Sequence, residues 1–223
     1  MNFDLVGTVF QMIAFLFAIS VHESAHAWTA SQRGDPTARM LGRVSLNPIR
    51  HIDPIGTILL PLVAAITGFT VLGWAKPTPV DPRNFRNPVL DDILTSVAGP
   101  VSNFIVATGA LVLLWIISLS SETGRALVHG ANRGSGSILE PLVQLLLITM
   151  LINVVLAVFN LIPVPPLDGS HVIRHFMSDS VRRVYDGIGI FGLLALVYLG
   201  KPLLNALMNP FIKFFFSMVD TFQ

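Results

Sequence analysis

Long stretches without a single charge decide most of what this chain can become. Residues 5–21, 54–75, 93–121 and 141–167 contain no Asp, Glu, Lys or Arg. A helix needs roughly 20 apolar residues to cross a bilayer core, and three of these runs reach that length without a strong break. The helical pattern of the first run can continue to about Gln32. The run 54–75 differs, because Gly56, Pro61, Gly68 and Gly73 punctuate it. Two further apolar stretches, 187–200 and 202–212, are separated by Lys201. The reading is an all-α polytopic membrane protein, a single membrane-embedded domain over 1–223 with about four to six transmembrane segments.

Composition agrees. Charged residues make up 12% of the chain, against about 25% in soluble domains. The net charge is +1, which excludes a basic nucleic-acid binder and a disordered acidic tail. Cysteine is absent, so no disulfide framework and no Cys-based metal or redox site can form. Residues 123–137 read as a polar loop. Ala25-His26-Ala27 fits a signal-peptidase pattern, but no basic residue precedes Arg33 and the apolar run exceeds a usual signal core, so a cleaved signal is not expected.

The chemistry begins at His22-Glu23-Ser24-Ala25-His26. On a helix, positions i and i+4 share a face, so both imidazoles can reach one ion, with Glu23 beside them as a general base. Ionisable groups inside a lipid-embedded segment are costly and mark function. Catalytic zinc takes three protein ligands and keeps one position open. His51, His129, His171, His175 and Asp53 are available, but Asp168 is the preferred third ligand. It follows the run Asn160-Leu-Ile-Pro-Val-Pro-Pro-Leu, whose prolines break the helix. Irregular backbone at membrane depth is tolerated where it lines a cavity.

Five motifs in order, HESAH (22–26), NPIRHIDPIGT (47–57), GWAKPTPV (73–80), AGPVSN (98–103) and NLIPVPPLDGSH (160–171), resemble the site-2 protease family of intramembrane zinc metalloproteases. The chain is similar to the compact bacterial members, which lack PDZ and CBS domains. The resemblance implies that His22, His26 and Asp168 hold one Zn(2+) per chain, that Glu23 is the catalytic base, and that Asn160 helps hold substrate or the oxyanion. Asn103 matches a recurrent asparagine of open role. The implied partners are a transmembrane protein or peptide substrate and the lipid bilayer, with no nucleic acid.

One ion must meet ligands from the first and the fourth apolar run, so their metal-bearing ends share a side. An odd number of crossings then separates them. The broken run 54–75 is therefore expected to be a re-entrant or hairpin element, with extended backbone over 73–80. Under that topology the metal side carries ten basic residues between Arg33 and Arg183, and the other side only Arg125 and Arg133. The positive-inside rule places the metal side in the cytoplasm of a multi-pass cell-membrane protein. The tail, 187–218, is either one kinked span or a helical hairpin. His51 and Asp53 read as a turn ordered by Asp-Pro, His171 as a helix cap or accessory ligand, His129 and His175 as solvent-facing, and Asp91-Asp92 as a solvated loop. Trp28 and Trp74 read as interface anchors. A membrane zinc or proton transporter, a di-iron oxidase and a non-catalytic scaffold are the alternatives.

Overall fold

The computed structural model describes residues 5–67, 73–130 and 136–222, and every regular element among them is helical. The α-helices are α1 (Leu5–Arg33), α2 (Thr37–Met40), α3 (Leu60–Thr67), α4 (Pro88–Ser120), α5 (Glu122–Val128), α6 (Glu140–Asn160), α7 (Asp168–Arg174), α8 (Asp179–Leu199) and α9 (Lys201–Val219). Among the described residues, α1, α4, α6 and α9 are long and apolar enough to cross a bilayer. This is the all-α polytopic architecture expected from the charge-free runs.

α1, α4 and α6 pack against one another. Lipid tails are as apolar as leucine, so small side chains that let backbones approach drive such contacts. α1 buries Gly7, Ala14, Ala18, Ser20, Ala27 and Ala30, while Val9, Ile13 and Phe17 point outward. Ala18 meets Asn103 and His26 meets Thr95. Residue numbers therefore rise along α1 as they fall along α4, and the two helices are antiparallel. One crossing separates α1 from α6, as the shared metal end requires.

The run 54–75 folds as a hairpin, as expected. Asp53 caps a wide helical turn, Pro54–Leu59, by accepting from the Ile55 and Gly56 N–H groups, and α3 continues it. Residues 68–72 of this run lie outside the described residues. The returning strand of chain lies against the outgoing one. Trp74 N–H donates to Gly56 O at 3.2 Å, Lys76 N–H to His51 O at 2.9 Å, and the Thr57 hydroxyl to Trp74 O at 2.7 Å. Both ends of the excursion thus meet, which a crossing segment cannot do.

The tail divides at Gly200. α9 ends with Met218 O accepting from the Trp115 indole N–H at 2.7 Å, so it runs alongside α4 and α6, and its Phe215 and Val219 join their core. α8 bends at Gly189 (φ +48°, ψ −137°), a backbone region open to glycine and costly for other residues. Its Leu193 and Leu196 pack on Ile162 and Leu167, and the Tyr185 hydroxyl donates to Pro163 O at 2.9 Å. Four surface expectations are corrected. Part of the loop read over 123–137 is helix α5: Ser121 caps it, and Leu127 and Val128 are buried in the core. His175 is not solvent-facing, because its Nε2 meets Asp92 Oδ2 at 2.7 Å. His129 is enclosed near Asp220 at the far end, and Asp91 and Asp92 are buried rather than solvated.

Candidate metal centre

The last third of α1 carries His22 and His26 one turn apart. Their Nε2 atoms approach to 3.0 Å. The chain leaves α6 through the turn 161–167 and re-enters a helix at Asp168, whose Oδ2 lies 3.1 Å from His22 Nε2 and 3.4 Å from His26 Nε2. Gly169 makes the turn possible, since a Cβ there would collide with Leu161 O. Of the residues the sequence put forward, His22, His26 and Asp168 come together, and they form the metal-competent His/Asp/Glu group found among the described residues.

The protons on both imidazoles can be assigned from their partners. The Asn103 amide N–H₂ donates to Ala18 O at 3.2 Å and to Asn153 Oδ1 at 2.7 Å, so its Oδ1 faces His22 Nδ1 at 2.6 Å. His22 Nδ1 must then be the donor. The Asn153 amide is in turn oriented by donation to Thr149 O at 2.8 Å. His26 Nδ1 faces the Thr95 carbonyl at 2.7 Å and must donate as well. In the neutral rings both Nε2 atoms then present lone pairs to the same point, where Asp168 Oδ2 is buried without a hydrogen bond.

Three electron pairs converging inside a protein need a cation. Protonating both imidazoles would instead press two N–H groups together at 3.0 Å. Zinc bonds of about 2.0–2.2 Å in a tetrahedron put ligand atoms roughly 3.3 Å apart, and the observed separations bracket that value. Gly99 of α4 keeps the space open, because a Cβ there would come within 2.6 Å of His22 Cε1 and His26 Cε1. The residues present fit the ion.

Residues 10–199 match the family model of peptidase family M50. The chain belongs to peptidase family M50. This M50 chain is 36% identical over 213 residues to the protein named "Putative zinc metalloprotease YwhC" of Bacillus subtilis, with 92% of this chain and 90% of that protein covered. It is 26% identical over 215 residues to "Putative zinc metalloprotease Rip2" of Mycolicibacterium smegmatis, covering 95% of this chain and 75% of the relative. The Rip2 protein of Mycobacterium tuberculosis is 27% identical over 201 residues. No solved structure matches the chain significantly. M50 is the site-2 protease family, so the resemblance carried by the five motifs holds, and with it the expected class, a zinc metalloendopeptidase with Zn(2+) as cofactor.

Around the centre, other groups of this M50 chain fix the elements. Asp92 Oδ2 accepts from His175 Nε2 at 2.7 Å and lies 3.8 Å from His171 Nδ1. This pairing ties α7, which opens with Asp168, to the start of α4. His51 is buried, with Nε2 at 2.7 Å from Ser45 O. Asp35, just past α1, receives the Thr37 hydroxyl at 2.5 Å, the Thr37 N–H, the Asn84 amide and the Asp81 N–H. Burial alone would raise the Asp35 carboxyl, but the hydrogen bonds from Thr37, Asp81 and Asn84 outweigh it and hold the group below the usual carboxylate range. Among the described residues no hydrogen bond joins Asn160 to the three ligands; its amide donates back to Leu156 O at 3.0 Å. A cavity of about 320 Å³ lined by Trp28, Ser31, Gln32, Arg39 and Val44 includes none of the ligands.

Sequence reasoning missed Asn153, and it missed Thr78, whose N–H and hydroxyl donate to Glu23 Oε2 at 2.9 and 2.7 Å. An amide inside the apolar run of α6 is itself a signal, since polar groups at membrane depth are costly unless partnered. Thr78 carried no such signal.

Proposed function

We propose that the chain is an intramembrane zinc metalloprotease that hydrolyses peptide bonds within or near transmembrane helices of other membrane proteins. His22, His26 and Asp168 hold the ion, and Glu23 is the general base. The observation that carries the reading is the convergence of His22 Nε2, His26 Nε2 and Asp168 Oδ2 in one buried place, with Glu23 next to His22 on α1. Bound zinc would supply Lewis acidity toward a carbonyl and a lowered pKa for water. Glu23 takes the proton from the attacking water and returns it to the leaving amine nitrogen. Asn160 gives one amide N–H to Leu156 O at 3.0 Å, and its second N–H is the donor that would serve the developing oxyanion.

A transmembrane helix hides its peptide bonds in i to i−4 hydrogen bonds, so the substrate must unwind locally before it reacts. Its unwound segment would lie along 73–80. Most backbone donors there are already engaged or missing: Trp74, Lys76 and Thr78 bond inward, and Pro77 and Pro79 have none. A pairing strand would use the Ala75 N–H and the carbonyls of Ala75, Pro77 and Pro79, which alternate with the inward-bonded Trp74, Lys76 and Thr78. The ten-to-two distribution of basic residues supports a cytoplasmic metal side in the cell membrane.

The test is cleavage of tagged single-span substrates by purified full-length protein in proteoliposomes. Glu23→Gln should abolish cleavage while retaining zinc. Wild-type protein that cleaves no helical substrate but moves zinc into vesicles would replace the protease reading with a transporter.

A further inference from the structure

We propose that Thr78 is the positioning residue of the Glu23 carboxylate, holding Oε2 so that Oε1 is the oxygen left to receive the proton. This rests on the reading of Glu23 as the base. The Thr78 backbone N–H donates to Glu23 Oε2 at 2.9 Å and its hydroxyl donates to the same oxygen at 2.7 Å. The hydroxyl also lies 3.1 Å from Glu23 O. Two donors on one carboxylate oxygen fix a side chain that would otherwise sample several rotamers. They occupy the lone pairs of Oε2, and among the described residues no hydrogen bond is directed at Oε1.

The surrounding sequence is built for this contact. Thr78 stands between Pro77 and Pro79. Proline has no N–H and locks φ, and a residue before proline is held to extended conformations. The Thr78 N–H is therefore the single backbone donor in the tripeptide, and it is aimed at Glu23. The segment is anchored on both sides. Upstream, Trp74 and Lys76 bond to Gly56 and His51, and the Arg43 guanidinium reaches Lys76 O at 3.5 Å. Downstream, Asp81 N–H bonds to Asp35 Oδ2 at 2.8 Å. The stretch 74–81 is thus an anchored mount for one hydroxyl and one amide against the base. A substrate strand paired along 73–80 would press on the same mount, so the base and the scissile bond would share one positional reference.

The experiment measures kcat, KM and zinc content of Thr78→Val, Thr78→Ala and Thr78→Ser with a tagged single-span substrate, alongside Glu23→Gln. Val keeps the shape and the backbone N–H but removes the hydroxyl. Misplacing a reacting group by a fraction of its reach costs roughly ten- to a hundredfold, so Thr78→Val and Thr78→Ala should lower kcat by about that factor. KM should stay within about twofold, zinc content should be unchanged, and Thr78→Ser should recover most of the loss. Wild-type kcat in Val and Ala, no recovery in Ser, or zinc lost in step with activity would each overturn the proposal. An active Glu23→Gln would instead overturn the reading of the base itself, so the two failures are distinguishable.

Discussion

Replacing Asn103 by leucine tests how the centre is held. Asn103 is fully buried and spends every polar atom on two neighbouring helices: Oδ1 on His22 of α1, and the amide on Ala18 O of α1 and Asn153 Oδ1 of α6. Leucine is similar in size and removes all three bonds. It leaves the His22 Nδ1–H without an acceptor and frees the ring to turn its Nε2 off the ion. Losing such an outer partner costs about 10- to 100-fold in metal affinity, or roughly 1.4–2.8 kcal/mol. Each orphaned buried group adds about 1–3 kcal/mol to the folding cost. Asn153→Leu should weaken zinc less, because Asn103 keeps its bonds to His22 and Ala18. The double variant should bind zinc like Asn103→Leu alone yet lose less stability than the two singles together, since Asn153 is no longer stranded. Chelator competition gives the zinc Kd, and thermal unfolding in detergent gives stability. A folded Asn103→Leu protein that binds zinc within about twofold of wild type would refute this account of the outer partner, and so would an Asn153→Leu variant more damaging to zinc than Asn103→Leu.

Gly99→Ala should lose zinc and cleavage, because the new Cβ collides with both imidazoles. Alanine is the better helix former by about 1 kcal/mol, so a purely local effect would raise stability with activity intact, and the pair of readouts separates the two. For Asp35 the folded carboxyl is held below its ordinary value, so the ionised form is favoured by folding. Its contribution is complete above about pH 4 and is lost as pH falls through the lowered folded value. The melting temperature of Asp35→Asn should therefore lie below wild type at neutral pH, and the gap should shrink below about pH 4. A gap that stays constant or widens on acidification would contradict the assignment. Asp92→Asn, which weakens the tie between α7 and α4, should raise the zinc Kd without removing a ligand; an unchanged Kd by chelator competition would show that α7 is held by packing alone.

How much was readable in advance follows from where each signal lives. His22, Glu23 and His26 share one helix face, so local geometry alone unites them. Asp168 is 142 positions beyond His26, yet it could be named because proline-broken backbone ending in an acid at membrane depth has few other uses. The hairpin was legible from glycine and proline within an apolar run, and from the need for an odd number of crossings. The Thr78–Glu23 contact was not, because a threonine in a loop has no cost to advertise and its partner lies 55 positions away. His175 and Asp92 were read as solvated for the same reason: each is ordinary until packing sets one against the other. The Gly189 bend in α8 was hidden because glycine in an apolar run signals a permitted departure, not one that is made.

The most direct test of the central claim is X-ray absorption at the zinc edge on the purified, zinc-loaded protein. Two imidazole nitrogens and a carboxylate oxygen at about 2.0–2.2 Å are expected, with the oxygen contribution reduced and the zinc weakened in Asp168→Ala. A first shell without imidazole scattering, or one that Asp168→Ala leaves unchanged, would contradict it.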